Sequence, residues 1–402
     1  MMKKMIAVAL LLLLSGGMVA QQKDTTVSVL ANTSGLLSLH AGKLSIGGFG
    51  EVHYNQPLSN HMQQAGLLDM HALVISLGYN FSKETQFVAE VEFEHANEVW
   101  VEQMYLQHQL GRFVSFRAGL LAIPMGIISE YHEPATFNGV EHPVIDSRIS
   151  PSGWREIGMG FAGTILPASL KYQAYVVNGF SSYDADGLFS ADQGFSNGSM
   201  KGSKSYITCP NITGKIEYSG ISNLSLGLSG YAGKSHSSLL HNLHNDSTHL
   251  LARADSSVVG IAMVGADARF DWQGLEMRGQ LYYAGISNTE QYNAFTAVNG
   301  KPNNLGSAMI GYYAEVGYNV LRGYKNTQRE LVPFVRYEVF DTHFRTAADI
   351  ERNPMYENTV ITSGITFKLN PGAVLKADMQ WMGNSAGQSW SKVFNAGIGV
   401  MF

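Results

Sequence analysis

Side chains able to do chemistry are most concentrated in one long stretch, residues 123–153. It carries carboxylates, imidazoles and one guanidinium group, at Glu130, His132, Glu133, Glu141, His142, Asp146 and Arg148. These groups donate and accept protons and hydrogen bonds, so they can contact ions and hydrophilic molecules. We interpret the stretch as a polar lining and not as a catalytic group.

Catalysis and cofactor binding have little support elsewhere in the chain. The sequence contains no HExxH helix and no P-loop. Its single cysteine, Cys209, excludes an intrachain disulfide framework and a cysteine-rich zinc site. We therefore expect neither enzymatic activity nor a cofactor.

A second group of reactive side chains lies in residues 236–249. This short segment contains His236, His241, His244, His249 and Asp246. Neutral imidazoles are good ligands for Zn or Cu. The spacing matches no ordered site, so we expect a solvated loop and assign no metal site, while metal binding by this loop stays open.

The elements that position these groups are predicted to be β-strands. In residues 85–95 the apolar and polar side chains fall on opposite faces, with Phe87, Ala89, Val91 and Phe93 against Gln86, Glu90, Glu92 and Glu94. A period of two indicates a strand with one apolar face. The pattern recurs at 308–320 and 372–382, and sixteen such segments are found, although the faces of 45–54 and 98–110 are ambiguous.

The connections between these segments alternate between short and long. Short ones are predicted near 82–84, 166–168 and 272–274, and long ones near 123–153 and 179–204. Short turns on one side and long loops on the other are typical of transmembrane β-barrels. The predicted fold class is all-β, an antiparallel up-and-down barrel of about sixteen strands spanning residues 45–402.

The N-terminus indicates export. Lys3 and Lys4 precede an apolar run from Met5 to Leu14 and small residues before Ala20, which is the pattern of a signal peptide over residues 1–20. We expect Sec-type export and an N-terminal periplasmic segment over residues 21–44.

The formal net charge is −5, with 27 basic against 32 acidic residues, so no basic footprint for nucleic acid is present.

The last strand predicts a destination in the bacterial outer membrane. Apolar residues alternate along residues 393–402 up to the terminal Phe402. A terminal aromatic residue on such a strand resembles the signal read by the barrel-assembly machinery, so we expect that machinery and outer-membrane lipid as partners. Barrels of about sixteen strands leave an aqueous channel.

A pore is therefore the favoured interpretation, with residues 123–153 as its constriction and an outward-facing surface loop as the alternative. The alternation assigns as pore-lining residues Glu90, Glu92, Glu94, Arg117, Glu156, Lys171, Arg278, Glu315, Arg336, Glu338, Lys376 and Asp378. For any one of these charges, pairing across neighbouring strands is at least as good an explanation as contact with a solute.

Several stretches resemble a known family, the porins related to the phosphate-selective porins O and P, especially their Bacteroidetes relatives. The matching stretches are GGFGEVHYN at 47–55, LGYNFSKETQFVAEVEFEH at 77–95, FRAGLLAIPMGIISEYHEPATFNGVE at 116–141 and WREIGMG at 154–160. The resemblance implies a sixteen-stranded barrel, commonly a homotrimer, with its third loop folded into the lumen.

The charge pattern argues against phosphate as the transported solute. Phosphate-selective channels need rows of Arg and Lys, whereas the inward positions here mix both signs. We expect passive diffusion of small hydrophilic solutes or ions with weak selectivity. An anion- or phosphate-selective channel is one alternative, and a non-conducting surface adhesin or scaffold barrel is another.

Overall fold

The computed structural model describes residues 43–58, 64–241, 248–324, 328–348, 350–387 and 389–402. The predicted signal peptide lies outside these ranges, as does nearly all of the predicted segment 21–44. The first strand begins at Leu44, close to the predicted start of the barrel.

Sixteen long strands form one closed antiparallel barrel, in which each strand pairs with its neighbours in sequence and the last pairs with the first. This confirms the predicted fold class and strand number. The strands are β1 Leu44–Leu58, β2 Leu67–Asn80, β3 Thr85–Glu94, β4 Glu98–Gly111, β5 Val114–Ala122, β6 Arg155–Ile165, β7 Leu170–Val177, β8 Asn211–Ile221, β9 Leu224–Lys234, β10 Gly260–Trp272, β11 Leu275–Ser287, β12 Ala308–Tyr318, β13 Glu330–Arg345, β14 Glu357–Asn370, β15 Ala373–Asn384 and β16 Ser391–Met401.

The two faces of the barrel wall differ as the sequence alternation predicts. In β12, Tyr312, Val316 and Tyr318 are exposed, whereas Tyr313 and Glu315 between them are buried. The same alternation of exposed apolar and buried polar residues runs through β10 and β13. An apolar outer face on a closed sheet is suited to contact with lipid, because every backbone group is paired within the sheet.

The C-terminal residue takes part in closure of the barrel. The peptide N–H of Gly48 donates to the carbonyl oxygen of Phe402 at 2.9 Å, and the N–H of Phe402 donates back to the carbonyl of Gly48 at 2.9 Å. Phe402 therefore extends the pairing of β16 with β1 to the last residue of the chain. The predicted role of Phe402 as an assembly signal is a separate matter and stays a prediction.

Irregular strand pairing explains one of the two segments whose faces were ambiguous. The register between β3 and β4 shifts between Glu90 and Val91, and the extra residue lies in β4, within residues 98–110. The register between β1 and β2 also shifts, between Glu51 and His53, but the extra residue there lies in β2, and β1 itself alternates regularly from Ser45 to His53. A bulge adds one residue to one strand, so the side chains beyond it change faces. Simple alternation cannot assign faces across such a point.

The connections are short on one side of the sheet and mostly long on the other, as predicted. The long ones hold more structure than the sequence indicated. The predicted loop 179–204 extends over 178–210, and its strands Ser181–Asp184 and Asp186–Gly187 form a small sheet with His236–Ser237. The described parts of these connections also contain three α-helices, α1 Ile145–Arg148, α2 Thr248–Ser256 and α3 Thr289–Phe295. Within the described ranges, no helix has the length and apolar character needed to cross a membrane.

We predict that the closing strand pair does not tolerate a side chain at Gly48. A Cβ at this position would lie 2.2 Å from the carbonyl oxygen of Val74 on β2, so Gly48→Ala must displace backbone, at a cost of about 1–3 kcal/mol. The measurement is the temperature at which the folded band of the purified protein converts to the unfolded band in gel electrophoresis, which Gly48→Ala should lower.

Gly50→Ala in the same strand is the matched control. A Cβ there would meet Leu73 Cδ1 at 3.5 Å, an ordinary contact. Equal conversion temperatures for Gly48→Ala and Gly50→Ala would contradict the prediction.

Candidate functional site

The segment of residues 123–153, which connects β5 and β6, packs against the buried polar faces of distant strands. Several strand side chains bind its main chain, among them Tyr282, whose hydroxyl lies 3.2 Å from the carbonyl oxygen of Met125. Lys215, Arg278 and Arg336 donate to the carbonyl oxygens of Gly126 (2.5 Å), Thr136 (2.9 Å) and Glu141 (3.1 Å). Gln280, Asp378 and Glu338 accept from the N–H groups of Ile127 (2.6 Å), Val140 (2.7 Å) and Val144 (2.7 Å). Main-chain groups of this irregular segment are thereby satisfied without secondary structure.

The charges on β11, β12 and β13 neutralise one another at this contact. Arg336 Nε lies 2.8 Å from Glu338 Oε1, and its Nη1 lies 3.4 Å from Glu315 Oε2. Arg278 Nε lies 3.4 Å from Glu315 Oε1. Two cations thus face two anions in a buried network, and the desolvation cost of each charge is offset only because its partners are present.

A second set of contacts joins β1 to the segment through Glu141 and β15 to the segment through Phe137. His53 Nδ1 lies 3.2 Å from Glu141 Oε1, and Asn55 donates to the same oxygen at 2.9 Å. Nearby, the ammonium group of Lys376 lies 3.4 Å from the centre of the Phe137 ring. A cation over an aromatic face is stabilised by the ring quadrupole.

Glu130 is held between two lysines. Lys171 Nζ lies 2.7 Å from Glu130 Oε1, and Lys215 Nζ lies 3.3 Å from Glu130 Oε2. Burial raises the pKa of Glu130, but the two ammonium groups outweigh it and hold the pKa well below its usual range. Glu130 is therefore ionised at neutral pH and ties the segment to β7 and β8.

Asp146, in α1, is in the opposite situation. Burial raises its pKa to about 7, against the effect of hydrogen bonds from Tyr282 (2.7 Å) and Gln280 (2.8 Å) to its Oδ1. A carboxyl group with such a pKa is largely protonated in mildly acidic solution, so it can be buried without a counter-charge.

The two histidines of the segment differ in charge. Burial opposes protonation of His132, but Glu102, with its Oε2 3.5 Å from His132 Nε2, raises the pKa of His132 to about 10. Burial lowers the pKa of His142 to about 4. At neutral pH His132 is a cation paired with Glu102, and His142 is neutral.

Three adjacent polar cavities lie along strands β1–β7, and the segment lines the first two of them. The first, of about 180 Å³, reaches the rim of the barrel that carries the long connections, here called the long-loop rim, at Gly153 and Lys201. The second, of about 190 Å³, shares Gln103, Ser129 and His132 with the first. The third, of about 420 Å³, shares Gln107, Arg117, Lys171 and Gln173 with the second and reaches the short-turn rim at Arg112 and Leu166. We call this series the cavity row.

Most of the predicted site residues fall into two groups. One group lines the cavity row, and the other lies where the segment 123–153 contacts the strands on its other side. The residues that line the cavity row are Glu90, Glu92, Glu94, Arg117, Glu130, His132, Glu133, His142 and Lys171. The residues that lie in the networks on the other side of the segment are Glu141, Asp146, Arg278, Glu315, Arg336, Glu338, Lys376 and Asp378.

Two predicted residues lie in neither group. Glu156 is buried and accepts hydrogen bonds from Trp154 Nε1 (3.1 Å) and Asn178 Nδ2 (2.7 Å). Arg148 donates to the carbonyl oxygen of Asp192 at 2.8 Å, which ties the segment to the following long loop.

Sequence reasoning missed three charged residues of the first cavity, Lys201 and the pair Glu102 and Arg155. The side chains of this pair form an ion pair with 3.2 Å between Arg155 Nη1 and Glu102 Oε1. Glu102 lies at the β3–β4 register shift, where Gln103 pairs with Glu90 and Val101 with Val91. The only available signal was the break in alternation at 98–110.

The histidine-rich segment is partly described. His236 Nε2 lies 2.7 Å from His241 Nε2, with their rings stacked, and His249 lies in α2. His244 and Asp246 lie outside the described residues, so the open question of metal binding by this loop is not tested.

Residues 194–198 read GFSNG and so match the GxSxG spacing of hydrolase nucleophiles. In those enzymes the serine lies on a sharp turn between a strand and a helix. Here the motif lies in turns of the 178–210 loop, and Ser196 Oγ donates to the carbonyl oxygens of Ser147 (2.7 Å) and Gln193 (2.6 Å). The match is therefore a loop contact and does not form a nucleophile elbow.

No family model matches this sequence. The fold is similar to that of an anion-selective porin from Comamonas acidovorans, with a TM-score of 0.57 and 11% identity over 89% of this chain and 99% of that one. The outer membrane channel DcaP of Acinetobacter baumannii gives a TM-score of 0.57 at 11% identity, over 89% and 97% of the two chains. OmpF of Salmonella typhi, in complex with daunomycin, gives 0.56 at 11%, again over 89% and 97%. The chain thus shares the sixteen-stranded barrel fold of outer-membrane porins.

One relative is similar in sequence. An uncharacterized protein of Aquifex aeolicus (strain VF5) is 30% identical over 349 residues, which cover 83% of this chain and 74% of the relative. Identity at this level over most of both chains indicates common descent, and the chain belongs to the same protein family as this uncharacterized Aquifex protein.

Proposed function

We propose that the protein forms a water-filled channel in the bacterial outer membrane for passive diffusion of small hydrophilic solutes or ions. The observation that carries this proposal is the cavity row, which runs from the long-loop rim to the short-turn rim of a sixteen-stranded barrel. Barrels of this size have room for an aqueous lumen. The apolar outer face and the likeness to porins support the outer membrane as the location.

The segment 123–153 is the constriction in this proposal. Its main chain is held by side chains of β8, β11, β13 and β15, all on the buried face of the wall, which supports a position inside the barrel over an outward-facing loop. The other side of segment 123–153 borders the cavity row through Ser129, Glu130 and His132. The solute would pass between this side and β2–β7.

Charge along the cavity row supports weak selectivity. The long-loop end carries Glu92 and Glu94, whereas the middle and the short-turn end carry Arg117 and Lys171. Arg117 is held by Gln107 at 2.7 Å and by Tyr175 at 3.1 Å, while Lys171 is paired with Glu130. A pathway with successive regions of opposite sign favours neither ion strongly.

An anion-selective channel is the second candidate. The guanidinium of Arg117, which forms no salt bridge within the described ranges, favours it, as does the resemblance to the phosphate-selective porins, and the Comamonas neighbour is an anion-selective porin. Phosphate itself has weaker support, since the cavity row has no ladder of Arg and Lys side chains.

A non-conducting adhesin or scaffold barrel is disfavoured by the cavity row, and no enzymatic activity is proposed.

Assembly and export complete the proposal. We propose a homotrimer, supported by an outward-facing apolar groove of about 940 Å³ on β5–β11, where Gly214 and Gly230 allow close approach of another surface. Sec-type export and recognition of Phe402 by the barrel-assembly machinery follow from the sequence alone.

The proposal predicts single-channel conductance. The purified, folded protein in planar bilayers should give stable steps of current proportional to voltage, because a continuous polar pathway requires no gating event. Silence from protein shown to be folded by its heat-dependent gel shift would contradict the pore, and would favour a closed scaffold barrel.

A second prediction concerns the path of the solute. In a Cys209→Ser background, Ser129→Cys places a thiol in the lining shared by the first two cavities. A charged methanethiosulfonate reagent should then lower the conductance of each step, because the added group narrows the pathway. Ser385→Cys, at an exposed turn between β15 and β16, is the control and should leave conductance unchanged. Equal responses of the two variants would argue against this route.

A third prediction concerns selectivity. Glu94→Gln removes a negative charge from the long-loop end of the cavity row, so the reversal potential in a salt gradient should move towards anion preference. The shift should be larger at low salt, where screening is weaker. The matched control is Glu290→Gln, an exposed carboxylate in α3 away from the cavity row. An equal shift in the control would show that the effect is not local.

A further inference from the structure

Three potential metal ligands meet at the long-loop rim. Asp69 Oδ2 lies 2.7 Å from His95 Nδ1 and 3.8 Å from His71 Nδ1. One donor atom from each of the three side chains lies within 4.8 Å of the other two. Asp69 is half-buried, whereas both imidazoles are accessible to solvent, so an ion in solution can reach the group.

Local backbone irregularities bring these residues together. In β2, Ala72 pairs with Glu51 while Asp69 pairs with His53, so one extra residue lies in β2 and the faces switch at this point. Without that bulge, Asp69 and His71 would share the outward face with Leu73 and Ile75. His95 enters the turn between β3 and β4 with a φ of 52°, followed by Ala96 at 63°, a left-handed pair that is rare for residues with side chains.

The neighbourhood fixes His71 in place. The His53 ring stacks on the His71 ring with centroids 4.3 Å apart, and His53 is itself held by Glu51 at 3.1 Å and Glu141 at 3.2 Å. An orienting group behind a ligand is what metal sites use to limit the motion of the imidazole.

We propose that Asp69, His71 and His95 bind a divalent transition-metal ion such as Zn²⁺ at the mouth of the barrel. Two imidazole nitrogens and one carboxylate oxygen form a donor set that Zn²⁺ prefers and that Ca²⁺ and Mg²⁺ do not. The fourth position is open to water, and Glu94 Oε1, 3.8 Å from His95 Nε2, lies beside the site. The site is independent of whether the barrel conducts.

The test is titration of Zn²⁺ into the folded full-length protein in detergent, followed by calorimetry, with the visible absorption of bound Co²⁺ as a second readout. We expect one ion per chain with a tetrahedral or five-coordinate Co²⁺ spectrum. His71→Ala and His95→Asn should each weaken binding by about tenfold or more, judged by what the loss of even an outer partner costs in metal sites. Asn at 95 tolerates the left-handed backbone, so this variant retains the turn.

The control is His236→Ala with His241→Ala, the other pair of adjacent imidazoles in the described residues. Unchanged affinity in this control, together with weakened binding in both site variants, supports the proposal. Wild-type protein that binds no Zn²⁺, site variants that bind like the wild type, or loss of binding only in the control would each overturn it.

Discussion

In a sheet whose outer face is apolar, each peptide N–H and C=O must be paired within the sheet, because a lipid environment offers no hydrogen-bonding partner. The ring of sixteen strands meets this constraint by pairing β16 with β1, up to the exchange between Phe402 and Gly48. Closure then determines the placement of everything else. The apolar side chains face outward, and the polar and charged ones must be accommodated inside.

The polar and charged side chains inside the barrel are accommodated in two ways. On β8 to β15, charges such as Arg336, Glu338 and Asp378 are paired with one another or with the main chain of the 123–153 segment. On β2 to β7, the polar side chains border cavities. One irregular segment thus pairs with charges on one part of the wall, and in the proposed channel its other side borders the pathway.

The sequence alone predicted the barrel, the strand number and the alternation of short and long connections, because each follows from a period of two and from turn lengths. Glu92, Arg117 and Lys171, which it assigned to the inward face, border cavities in the structure, and their role in a pore stays a prediction. It missed Glu102, where a bulge breaks the period. It could not distinguish Glu338, which binds main chain, from Glu92, which borders a cavity, because that difference depends on where residues 123–153 pack. The Asp69, His71 and His95 group needs two backbone irregularities and was equally inaccessible.

The central claim is that a polar route crosses the barrel, and the most direct measurement is the swelling of protein-containing liposomes in isotonic sugar solutions. The account predicts rapid swelling with a small monosaccharide, slower swelling with a disaccharide, and little with larger oligosaccharides, because the cavities are narrow. Swelling no faster than in protein-free liposomes, with the protein shown to be folded and inserted, would contradict it.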